Sequence, residues 1–167
     1  MKAVEIKNLS FKYEDDTPFV INDLSLDVEK VFIASVLHDC AKYLNPADFK
    51  GFKVEENMPK AVVHAFLGAF VVEKVLKIKD EEIINAVKYH TTGRANMSSL
   101  EKLIFLADMV EEGRAYEGVE LLRSLYEKDF ELCFRTALKE EVVHLKNKGS
   151  EIYFETLNAL KFYTEKN

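Results

Sequence analysis

From Lys30 onward apolar residues recur at helical spacing, and several histidines and aspartates fall on those apolar stripes or at their ends. Side chains of this kind are costly to take out of water unless they meet a partner. The fold is therefore constrained to bring them to a metal ion or into a hydrogen-bond network. The clearest case is Val31 to Tyr43, VFIASVLHDCAKY, where an apolar run ends in His38-Asp39 and Lys42 follows one turn after His38. Residues i and i+4 share a helix face, whereas neighbours diverge. His38 and Lys42 are expected one above the other, with Asp39 turned aside toward a second group.

The helical texture covers most of the chain. A first helix spans about 31–43 and is ended by Asn45-Pro46, 48–59 reads as a loop, and 60–77 reads as a long helix carrying His64. Asp80 caps a helix ending near His90, with Ile83, Val87 and His90 on one face. Thr91-Thr92-Gly93 stops it, Gly93 being suited to the positive φ of a helix exit. Ser98 to Glu101 has capping-box spacing and opens a helix to about Glu112, whose apolar stripe through Leu100 and Ile104 continues to Asp108. Further helices are expected at 118–127, 129–148 and 151–164.

Residues 2–28 differ. Two alternating runs flank the turn Glu14-Asp15-Asp16 and read as a β-hairpin, which alone is marginal in water and must dock on something. The expected fold is mainly α, with a short β-hairpin leader over 1–30 and a helical body over 31–167.

At 167 residues the chain suits one domain with a sizeable core, and its net charge of −6 argues against a nucleic-acid partner. No apolar run reaches the ~20 residues of a membrane span, and no signal-peptide layout opens the chain. Cys40 and Cys133, without a C-x-x-C pairing, read as two reduced thiols in a cytoplasmic protein.

His38, Asp39, His64, His90 and Asp108 come from four different helices. Imidazoles and carboxylates suit Fe, Mn or Zn, and one shared carboxylate can bridge two ions. Two ions about 4 Å apart can hold a hydroxide and clamp phosphoryl oxygens. Taken singly, each residue also has a plain structural reading: His64 as a core histidine, Asp39 as a helix-end carboxylate, Asp108 as an ion-pair partner of Arg114 or Lys102.

Residues 31 to about 160 resemble the HD-domain metallophosphohydrolases, and within them the YqeK-type symmetrical dinucleoside tetraphosphatases. The resemblance lies in LHDCAK at 37–42, VVHAFLGA at 62–69 and AVKYHTTGRANMSSLEKLIFLADMVEEGR at 86–114. It implies an α-helical HD bundle around a di-iron-type centre, with manganese as the other candidate ion. Asp39 would bridge both ions, His38 and Asp108 would complete one, and His64 and His90 the other. The implied reaction is symmetrical cleavage of diadenosine tetraphosphate to two ADP by a metal-held hydroxide, with Asp39 and Lys42 in the catalytic machinery. Lys42 and Arg114 would stabilise phosphate charge, and Thr91, Thr92 and Gly93 would offer further donors.

The family pattern begins with another histidine ligand, and no histidine precedes His38 here. Residues 1–30 instead resemble the opening strands of an ABC-transporter ATPase, with Phe11-Lys12-Tyr13 at the place of an adenine-stacking aromatic. No G-x-x-x-x-G-K-[ST] follows, so ATPase activity from this leader is not expected. A missing ligand and a missing covering helix imply a weakened ion site, impaired turnover and exposed apolar surface that favours a homodimer. The alternative is a nucleotide- and metal-binding HD protein without turnover.

Overall fold

The computed structural model describes the backbone of residues 5–11 and 21–165, with side chains from Asp27 onward. Within that range the chain is mainly helical: α1 (Val28–Leu37), α2 (Lys60–Phe70), α3 (Glu81–Tyr89), α4 (Ser99–Val110), α5 (Val119–Tyr126), α6 (Phe130–Asn147) and α7 (Phe154–Thr164). The expected β-hairpin is not supported as an element of the fold. Backbone pairing is recorded between β1 (Glu5–Phe11) and β2 (Ile21–Asp27), but the turn between them and the side chains that would dock it lie outside the described residues. The ATPase-like motif around Tyr13 lies outside them as well.

Local chemistry explains most helix starts. The Asp27, Asp80 and Asp129 carboxylates accept from first-turn amides of α1, α3 and α6, and Ser98 with Glu101 forms a complete capping box on α4. Gly93 ends the α3 segment at φ +62°, the left-handed conformation that only glycine adopts without strain. Helix α2 runs into a single π-type turn over Val71–Val75, where Leu76 N–H donates to the Val71 carbonyl at 2.9 Å.

The first helix is shorter than its sequence suggests. After Leu37 the chain closes into tight turns, with the Cys40, Lys42 and Leu44 amides each donating three residues back. His38 is the C-cap of α1, so the expected stack of His38 over Lys42 is replaced by a bond from Lys42 to Asp39. The turn packs against α2: a Cβ on Gly68 would lie 3.6 Å from Cys40 Sγ and 3.7 Å from the His38 carbonyl, ordinary contact distances, while its tight approach, at 3.2 Å, is to Val87 of α3.

One apolar layer joins α1, α3 and α4 through Ala34, Ile83, Val87, Leu100 and Ile104. A second joins α4 to α7 through Phe105, Leu122, Phe134 and Leu138, with Phe105 and Phe134 edge-to-face at 5.6 Å. Burial of each such side chain contributes about 1.5–3 kcal/mol. The first layer holds α1, α3 and α4 in register, and Leu67 of α2 packs with Ala41 and Val71 in a smaller cluster.

Candidate metal centre

Asp39 stands between three imidazoles. Its Oδ1 lies 3.2 Å from His64 Nε2 and 3.6 Å from His90 Nε2, and its Oδ2 lies 3.8 Å from His38 Nε2. His64 Nε2 and His90 Nε2 are 3.3 Å apart, and the His90 ring meets the His38 ring edge-on at 5.1 Å. Asp39, His64 and His90 offer ligand atoms that all fall within 4.8 Å of one another.

The protons on these rings are fixed from behind. His38 Nδ1 donates to the Ser35 carbonyl at 2.7 Å and His90 Nδ1 to the Val87 carbonyl at 2.8 Å, while the Ala61 backbone bonds the His64 ring. A carbonyl only accepts, so Nδ1 of His38 and of His90 carries a proton and each ring turns Nε2 toward the centre. Burial pushes His90 down to about 4 from its ordinary value, with the neighbouring His64 and His38 rings acting in the same direction. Burial lowers His64 too, and Lys42 adds to that drop. Burial alone would raise the Asp39 carboxyl, but the Lys42 ammonium bonded to it brings it below the usual carboxylate range.

The centre thus sets the Asp39 carboxylate against the Nε2 atoms of three imidazoles, of which the buried His90 is neutral. His64 Nε2 lies within hydrogen-bond distance of both Asp39 Oδ1 and His90 Nε2, so in the absence of an ion it is the nitrogen that can donate to either. This donor set fits a divalent metal ion of the Fe, Mn or Zn type.

The remaining expected residues divide. Lys42 Nζ donates to Asp39 Oδ2 at 2.5 Å and is thereby held at the centre. Asp108 is held by Arg114, whose Nη2 donates to Oδ1 at 2.6 Å and whose Nε donates to the Asp108 carbonyl at 2.9 Å. The ion-pair reading of Asp108 thus describes its state here, with Arg114 and not Lys102 as partner; Lys102 pairs with Glu131. Asp108 still contributes charge at both Lys42 and His64. Thr92 is buried and its hydroxyl donates to the Gly93 carbonyl at 2.8 Å. The Thr91 hydroxyl is buried and has no hydrogen-bond partner among the described residues.

Sequence reasoning missed the support of the His90 loop. Arg94 grips Glu101 with Nε at 2.6 Å and Nη2 at 2.9 Å, and the Glu101 side chain is fully buried. The same carboxylate takes the Ser98 amide, while Tyr163 accepts the Met97 amide at 2.6 Å. The capping-box spacing was the visible signal; nothing local showed that its glutamate would be buried. Gly68, one turn after His64, was missed for want of any register between α2 and α3.

Residues 8–113 match the HD domain family. The chain is 34% identical over 137 residues to the symmetrical bis(5'-nucleosyl)-tetraphosphatase of Bacillus subtilis (strain 168), covering 78% of this chain and 74% of that protein. It is also 34% identical over 151 residues to the Staphylococcus aureus protein of the same name, covering 82% and 75%. The fold matches the crystal structure of a predicted HD superfamily hydrolase involved in NAD metabolism from Clostridium acetobutylicum, with TM-score 0.74 and 31% identity over 84% of this chain and 79% of that one.

Proposed function

The chain belongs to the HD-domain family, beside its symmetrical bis(5'-nucleosyl)-tetraphosphatases, and on that premise we propose a metal-dependent phosphohydrolase that cleaves diadenosine tetraphosphate to two ADP. The observation that carries this reading is the set of imidazole nitrogens converging on the Asp39 carboxylate. The proposed ligands are His38, Asp39, His64, His90 and Asp108, with iron as the ion and manganese as its substitute. When bound, such ions supply an acidified water and polarise phosphoryl oxygens.

The chain's own residues do the rest. Asp39 would offer one carboxylate oxygen to each side of the centre, Oδ1 toward His64 and His90 and Oδ2 toward His38. Lys42, released from Asp39 as the carboxylate takes ions, would turn its ammonium toward the phosphate chain. Arg114 would exchange the Asp108 carboxylate for a phosphate oxygen pair, which its planar fork matches. The Thr91 hydroxyl would find its missing partner in substrate or water.

No helix of the described residues is long and apolar enough to cross a membrane. The free thiols of Cys40 and Cys133 support our placing of the protein in the cytoplasm. The outward stripe of Val28, Phe32 and Val36 on α1, with Phe32 68% exposed, supports pairing of two copies.

The test is product analysis. Protein supplied with Fe2+ or Mn2+ and diadenosine tetraphosphate should give ADP as its sole nucleotide product, and none after chelation. ATP with AMP would contradict the proposal. The second reading, binding without turnover, is favoured by the capture of Asp108 by Arg114, which leaves fewer ligands for a second ion. One ion per chain with retained nucleotide and no ADP would establish it.

A further inference from the structure

The last turn of α4 and the loop after it carry Asp108, Glu111 and Arg114, and a single side chain grips this stretch from α5. Arg123 Nε donates to the Val110 carbonyl at 3.1 Å. Its Nη2 donates to the Glu111 carbonyl at 2.6 Å and to the Arg114 carbonyl at 2.9 Å, while Nη1 pairs with the exposed Glu120. The last carbonyls of a helix have no partner within it, and a cation there also opposes the negative end of the helix dipole. A plain helix cap accounts for the bonds to Val110 and Glu111. It does not account for the third, to the main chain of Arg114 itself.

The Glu111 carbonyl also takes the Arg114 amide at 3.0 Å, so residues 111–114 form one turn whose first and last carbonyls share Arg123 Nη2. From that turn the Arg114 guanidinium reaches back to Asp108, with Nη2 on Oδ1 and Nε on the Asp108 carbonyl. We propose that Arg123 is a positioning residue, which holds the Glu111–Arg114 turn against α5 and so sets the direction in which the Arg114 guanidinium meets the centre. Arg123 itself touches neither metal nor substrate. The proposal rests on the hydrolase reading for what Arg114 binds, a pair of phosphate oxygens. With its main chain held, Arg114 exchanges Asp108 for phosphate by side-chain rotation alone, and the plane of its fork stays aimed. Arginine suits the task at position 123 because Nε and Nη2 lie on one rigid edge and meet neighbouring carbonyls together, whereas lysine brings one nitrogen.

The experiment is a double-mutant cycle on the Mn2+-loaded protein with diadenosine tetraphosphate, joined to amide hydrogen exchange over residues 111–118 in the same proteins without metal. Arg123→Ala should lower kcat/KM about tenfold in the parent and less than about twofold in an Arg114→Ala background, because its effect passes through Arg114. A residue that merely stabilises the fold costs the same factor in both backgrounds. Arg123→Lys keeps the charge and one donor nitrogen, and should show the same pattern at about threefold; it carries the cycle if the alanine variant unfolds on thermal melting. Exchange over 111–118 should rise at least about fivefold in Arg123→Ala, with α2 and α3 as in the parent. Equal kinetic loss in both backgrounds, or unchanged exchange over 111–118, would each overturn the proposal. Failure of the hydrolase reading looks different: the parent yields no ADP, yet exchange over 111–118 still rises in Arg123→Ala.

Discussion

Asp39→Ala is expected to lower hydrolysis of diadenosine tetraphosphate by at least about 10^3-fold, beyond the 10–100-fold typical when a residue behind the ligands is changed. It should also leave the protein without tightly held metal. Asp39 supplies the only carboxylate within the tightly clustered ligand group of the described residues, and imidazoles alone bring no charge to balance a dication. The variant should fold, because Asp39 is partly exposed and its other partner, Lys42, can return to water. Metal-free Asp39→Ala should gain nothing in melting temperature from added Mn2+, whereas the parent should rise. Activity within tenfold of the parent would contradict the role given to Asp39.

Arg94→Ala is expected to cost about 3 kcal/mol of stability, the lower end of the range for breaking a buried ion pair, because Arg94 itself is partly exposed. The loss leaves the Glu101 carboxylate, 1% exposed, with the Ser98 amide and no cation. For a domain of this size the melting temperature should fall by roughly 6–12 °C. The double variant Arg94→Met, Glu101→Leu should recover part of the loss, since no buried charge is then stranded. Urea unfolding of the three proteins gives the comparison, and a cost below about 1 kcal/mol for the single variant would contradict the account. The loop that carries His90 and Gly93 is tied to α4 by this pair, so metal affinity should fall alongside stability.

The helical body was legible because its signals are local. Asp80, Ser98, Glu101 and Gly93 mark helix ends through their own backbone chemistry, and the apolar stripes of α3, α4 and α6 repeat often enough to read. The end of α1 was not, because Ala41 and Lys42 are good helix formers and no local stop signal stands at Leu37. The convergence of Asp39, His64 and His90 was anticipated from their desolvation, a property of each residue alone. The hold of Arg114 on Asp108 spans six residues beyond the helix end, where no periodicity applies.

Anomalous diffraction from crystals grown with Mn2+ tests the centre most directly. A peak within coordinating distance of Asp39 Oδ1, His64 Nε2 and His90 Nε2 is the predicted result, with a second peak on the Asp39 Oδ2 side beside His38. Density confined to surface carboxylates, with the three nitrogens left facing Asp39 and no ion among them, would contradict it.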